Sequence, residues 1–397
     1  MHARSLYPCH GWEEKLKMKR NSIMAGYYIF YFAAVGIYLP FLPLFLTRSN
    51  MNSLQIGFLM SVGPLAGIFA QTVWGTLADR HHRRKEYLLA ALILTTFISI
   101  SLSFGKGFLS FAILLFLYAI TNSPITPLSD ALVLNTLDNP KDYGKIRRWG
   151  SFGFALTAAL GGLIFSHLDL AWFGVLEGII LIGSLFWANS LPNPRDTMQK
   201  VSTTPFPIIS VLNAPGLLVF LIVTLLFMIP YNAYSAFFGW QMQALGASRW
   251  WIGLGWMIAA LSEMIVFSKG STWLKRSHPQ YLIAMAGIIF ALRWLMYSFV
   301  QDYHLIVLLQ ITQSLSFALF YLAGVEYLNL LLPPYLQGST QSAFNAVSFG
   351  VSAIVGTAGA GWLIHVGEVQ LMYRVSALLT VGGVILALLF LQYDKRV

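Results

Sequence analysis

Long apolar stretches alternate with short polar breaks along almost the whole chain. A helix needs roughly 20 mostly apolar residues to cross about 30 Å of hydrocarbon. With that window the first spans fall at 22–47, 54–78, 86–104, 108–133, 149–167 and 170–190. A second set falls at 213–243, 251–268, 281–300, 304–330, 338–365 and 369–392. The expected fold is all-α and polytopic, with twelve transmembrane helices in two halves of six. The polar, Pro-rich stretch LPNPRDTMQKVSTTPFP separates the halves. The domains expected are a cytoplasmic leader at 1–21, an N-terminal half at 22–190, a cytoplasmic linker at 191–207 and a C-terminal half at 208–393. The leader is polar and basic and lacks the apolar core of a signal peptide. Met18 and Met24 are alternative start residues.

Composition agrees with the pattern and narrows the class. The 397 residues are 57% hydrophobic and only 10% charged, with a mean hydropathy of +0.67. A soluble domain carries about a quarter charged residues. That excludes a cytosolic enzyme and a disordered chain, and the single cysteine, Cys9, excludes an internal disulfide framework. A net charge of +10 would suggest nucleic acid in a soluble protein. Here no nucleic-acid partner is expected, because the basic residues lie between the apolar blocks. Of the 25 Lys and Arg, all but Arg48, Lys106, Arg249, Arg293 and Arg374 fall in the N-terminus, even-numbered loops, linker and C-terminus. The positive-inside rule then places both termini in the cytoplasm of a cell that carries the chain in its plasma or inner membrane.

The loop between helices 2 and 3 reads Gly75-Thr-Leu-Ala-Asp79-Arg80-His-His-Arg83-Arg84-Lys85. It resembles the G-x-x-x-D-R-x-G-R-K signature of the major facilitator superfamily, at the place where that family carries it. The resemblance implies the major facilitator fold, alternating access, and a gate formed by Gly75, Asp79, Arg80 and Arg84. His82 stands where the family has glycine, which puts the tight turn in question. The alternative is an ordinary positive-inside loop.

Ionisable groups inside a membrane are costly and invite a functional reading. Asp130 ends helix 4, and helix 5 opens with Tyr143-Gly144-Lys-Ile-Arg147-Arg148-Trp149-Gly150. Glu263 lies in helix 8, Arg293 in helix 9 and Glu326 in helix 10, while Glu177 and Arg374 lie in outer parts of helices 6 and 12. Helix 1 (Phe30 to Pro43), the helix 5 run and Ala-Leu-Arg293 resemble the lactose permease lineage. Helix 11, Gln337-Gly338-Ser-Thr-Gln341 with Ser348-Phe-Gly350, is closer to the phenylpropionate permease branch. The resemblance implies that Arg147 binds substrate, that Asp130 is its carboxylate partner and that Phe154 stacks on a ring. It implies proton coupling and substrate affinity for Glu263 and Arg293. A planar guanidinium also suits paired hydroxyls or a carboxylate on chemical grounds alone. The alternatives are that Arg147 belongs to a basic loop and that Glu263 and Arg293 form a structural pair.

The remaining cavity chemistry is neutral. Tyr231 and Asn232 on helix 7, Gln313 on helix 10 and Gln341 on helix 11 offer hydrogen bonds to a hydroxylated or amphipathic solute. The helix 10 His and Glu and the helix 7 aspartates of the sugar permease are absent, replaced by Gln313, Ser316, Asn232 and Ser235. The function expected is a secondary transporter, a proton-coupled symporter importing a sugar or oligosaccharide as a monomer. The alternatives are uptake of an aromatic acid such as a phenylpropionate-like compound and, less favoured, drug:proton antiport. No H-E-x-x-H, paired metal-ligand motif or Gly-rich phosphate loop points to an enzyme, a metal or a cofactor.

Overall fold

The structure is a computed structural model that describes residues 10–139, 142–193, 215–274, 277–331 and 337–394. The linker from 194 to 207 lies outside the described residues. The first half contains α1 (His10–Arg48), α2 (Ser53–Arg80), α3 (Arg84–Leu102), α4 (Gly107–Thr136), α5 (Tyr143–His167) and α6 (Phe173–Asn189). The second contains α7 (Pro215–Ala244), α8 (Arg249–Leu274), α9 (Pro279–Phe299) and α10 (Tyr303–Leu331). The final pair is α11 (337–366) and α12 (369–394). Eleven helices are long and apolar enough to cross a membrane, the last running from Thr340 to Leu389. Its torsions leave the helical region at Gly367 (φ −156°) and Glu368 (φ 66°), so this stretch is two helices and the described residues hold twelve.

Two helices begin earlier than the apolar windows suggest. α1 starts at His10, inside the expected leader, and α5 starts at Tyr143, so Arg147 and Arg148 are helical rather than in a loop. The apolar window measures what can face lipid, whereas Lys, Arg and Glu are good helix formers that extend a helix into water. Exposed Asp138, in the α4–α5 connection, anchors the α1 extension by accepting from Arg20 at 2.8 Å. That hydrogen bond holds the Asp138 carboxyl below the usual carboxylate range.

Within the first half α1 packs on α5 and α6, α2 on α4, and α3 on α6; in the second, α7 and α9 pack on the α11–α12 stretch. The halves meet through α5 against α8 and α2 against the α11–α12 stretch. At the end away from the basic loops this contact is backbone to backbone. A Cβ on Gly57 of α2 would lie 2.6 Å from the Thr357 carbonyl of α11, and one on Gly162 of α5 would lie 2.5 Å from the Arg249 carbonyl. Small residues let membrane helices approach this closely, where dispersion rather than the hydrophobic effect drives association. Arg249 tightens the seal by donating to the Phe165 carbonyl and, at 3.4 Å, to that of Leu168, both at the end of α5. The bundle is thus sealed at one end of the interface.

Candidate functional site

A cavity of about 770 Å³ lies between α1, α5, α7 and α8. Its walls follow helical spacing: Phe32, Val35 and Leu39 from α1; Arg147, Ser151 and Phe154 from α5; Trp256, Ala260, Glu263 and Phe267 from α8. Each set recurs every three or four residues, so each helix turns one face to the opening. Tyr231 completes it from α7. A second cavity, about 640 Å³, shares Leu39 and is lined by Tyr38, Leu42, Asn232, Ser235 and Thr357 among others.

Arg147 is half-buried, with its guanidinium carbon 3.9 Å from the Phe32 ring centroid and 5.5 Å from that of Tyr28. Such cation–π contacts position the charge without consuming its hydrogen-bond donors. Asp130 makes no ion pair with it; the Tyr28 hydroxyl donates to Asp130 Oδ1 at 2.6 Å and the Tyr28 ring stands beside Arg147. Phe154 meets Trp256 edge to face across the halves, centroids 6.2 Å apart. This arrangement gives the cavity an aromatic wall.

Glu263 and Arg293 are brought together indirectly. Gln313 Nε2 donates to Glu263 Oε1 at 3.0 Å, while Gln313 Oε1 accepts from Arg293. Arg293 also donates to Gln310 Oε1 at 3.0 Å and to the Tyr297 hydroxyl, and its guanidinium lies 4.5 Å from the Tyr234 ring centroid. It is 2% exposed. One carboxamide therefore joins the half-buried carboxylate at the cavity wall to an arginine enclosed behind it. Local backbone irregularity makes this possible: α10 passes through a 3-10 turn at Gln310–Thr312 and a π turn at Ser314–Ala318. Such π turns shift side-chain register and recur at functional sites.

The other expected residues are dispersed. Tyr231 lines the cavity and stacks on Phe317, with centroids 4.4 Å apart. Asn232 faces the second cavity, with its amide given to the carbonyls of Met228 (2.8 Å) and Ser348 (3.0 Å). Gln341 contacts Tyr321 and Asn345 at 3.4 Å and lines neither cavity. In the gate loop, exposed Asp79 accepts from Arg84 Nε at 2.7 Å, and exposed Arg80 closes α2. His82 makes the tight turn itself, at φ 52°, paying the strain that glycine would avoid.

Trp256, Phe32 and Tyr28 were not singled out from the sequence. Trp256 sits two helical turns before Glu263, so the face spacing carried the signal. Gln313 as a bridge had none, because a π turn leaves no mark in hydrophobic periodicity.

Comparison with known proteins adds the family. The model of the MFS_1 like family matches residues 22–375. The chain is 26% identical over 388 residues to the maltose permease of Geobacillus stearothermophilus, covering 95% of this chain and 96% of that one. It is 25% identical over 346 residues to the "Probable 3-phenylpropionic acid transporter" of Escherichia coli (strain K12), covering 85% and 89%. Among solved structures, the nucleoside transporter NupG superposes with a TM-score of 0.82 at 15% identity, over 94% of this chain and 99% of that one.

Proposed function

The chain belongs to the MFS_1 like family, a family of membrane transporters rather than enzymes, and on that premise we propose that it is a proton-coupled symporter importing a sugar or oligosaccharide. The observation that carries the reading is the cavity between the halves. Arg147 from the first half and Glu263 from the second face one space, which is sealed at one end of the bundle. Arg147 presents a fork of donors to vicinal hydroxyls, and Phe154 with Trp256 packs against the apolar face of a ring. With both termini cytoplasmic, the sealed end is the external one.

Glu263 is the proton carrier in this account. Ionised, it accepts from Gln313, whose carbonyl oxygen in turn holds Arg293. Protonation removes the charge that Arg293 senses through the amide, and so favours one state of the second half. By linkage, a proton that favours a substrate-binding state is matched by a substrate that favours the protonated form. The maltose permease likeness supports a sugar. The same Arg147 and aromatic wall would seat an aromatic carboxylate, and the phenylpropionic acid relative keeps that as the second reading. Neither mode requires a metal or cofactor.

The test is uptake of labelled maltose and labelled 3-phenylpropionate into proteoliposomes under an imposed proton gradient. Accumulation of maltose that collapses with a protonophore supports the reading. Accumulation of phenylpropionate alone replaces the sugar, and accumulation insensitive to protonophore removes the proton.

A further inference from the structure

We propose that Glu177 of α6 is a second proton-binding site, lying in the first half with Tyr118 as its hydroxyl partner. The inference rests on the transporter reading above but not on which solute is carried. Glu177 is fully enclosed, at 0% exposure, in a membrane-spanning helix. Its Oε1 accepts from the Tyr118 hydroxyl at 2.5 Å and its Oε2 lies 2.8 Å from Ser99 Oγ. The groups around it are Tyr31 and Tyr38 from α1, Ser99 from α3, and Tyr118 from α4. None of these is a cation, and α6 carries no other ionisable residue. An enclosed carboxylate without a cation is disfavoured, so this seat favours the neutral acid.

The hydrogen bonding fits both protonation forms. Ser99 has one hydroxyl proton and two neighbours able to accept it, the Glu177 carboxyl and the Gly174 carbonyl at 2.9 Å. As a neutral acid, Glu177 donates to Ser99 Oγ, Ser99 donates to Gly174, and Tyr118 donates to the free carboxyl oxygen. As a carboxylate, Glu177 accepts from both hydroxyls, and the Gly174 carbonyl keeps its helical partner. Tyr118 stands between Glu177 and the wall of the second cavity. Its ring stacks on Tyr38 at 4.4 Å and 4°, and Tyr38 lines the second cavity. When Glu177 takes up the proton of the Tyr118 hydroxyl through their hydrogen bond, the tyrosine oxygen must gain one in its place, forming a new O–H bond as the old one breaks. The tyrosine ends neutral and the carboxylate becomes the acid.

The experiment is an infrared pH titration of purified protein, following the carbonyl stretch of protonated carboxyl groups in the wild type, Glu177→Gln, Glu263→Gln and Tyr118→Phe. The expected result is loss of one titrating component in Glu177→Gln, distinct from the one lost in Glu263→Gln. Tyr118→Phe should shift the band position or midpoint of the Glu177 component. This readout uses no solute, so a failure to carry maltose overturns the sugar reading and leaves the titration intact. Titrating components identical in the wild type and Glu177→Gln would overturn the proposal. Should Glu177→Gln fail to fold, a Tyr118→Phe titration identical to the wild type would overturn it.

Discussion

Arg147 and Arg293 are the same residue in opposite settings. Arg147 is half-buried, leans on the faces of Phe32 and Tyr28, and keeps its donors toward an open cavity. Arg293 is enclosed, with its donors taken by Gln310, Gln313 and Tyr297. A guanidinium whose donors are free can bind a solute; one whose donors are spent on the protein can only respond to it. Under the proposed function, the comparison divides the labour between the halves, with recognition on α5 and coupling on α8, α9 and α10.

The largest expected effect breaks the enclosed side. Arg293→Ala leaves the Gln313 oxygen without its donor, leaves Gln310 Oε1 with the Tyr234 hydroxyl alone, and removes the charge they surround. Each hydrogen bond to a buried charged group is worth about 1.5–3 kcal/mol. Thermal unfolding of the variant in detergent should show a large loss of stability, and a melting temperature equal to the wild type would mean that the enclosure carries no weight.

Next comes the open side. Arg147→Lys keeps the charge and loses the fork, and one charged hydrogen bond is worth about 1.5–3 kcal/mol, or roughly 10–100-fold in affinity. The variant should melt like the wild type while losing that much maltose affinity by calorimetry. Equal affinity would remove Arg147 from recognition. The smallest effect belongs to the gate loop. The pair joins exposed Asp79 to half-buried Arg84 within one half, and such surface pairs contribute about 0–1 kcal/mol to stability. Asp79→Asn should leave affinity and melting unchanged and slow solute exchange by less than about fivefold; loss of affinity instead would place Asp79 in the binding site.

The twelve spans were legible because lipid-facing length is written directly in apolar runs, and the α11–α12 break followed from the polar interruption around Gly367. The early starts of α1 and α5 were not, since helix hydrogen bonding continues where apolarity stops. On α8 and α5 the cavity faces were readable from three- and four-residue spacing, as the alignment of Trp256 with Glu263 and of Arg147 with Phe154 shows. Along α10 that spacing fails, because the 3-10 and π turns re-aim Gln310 and Gln313. The bridge between Glu263 and Arg293 is therefore a property of backbone geometry that residue order conceals.

The central claim is that Glu263 takes and releases the proton that drives uptake. Glu263→Gln fixes a neutral side chain of the same shape and keeps an oxygen for the Gln313 amide. Two fluxes should be measured in proteoliposomes: maltose counterflow at equal proton concentration, and maltose accumulation driven by a proton gradient. The account predicts that counterflow survives and accumulation falls to the equilibrium level. Accumulation at the wild-type level in the variant would contradict it.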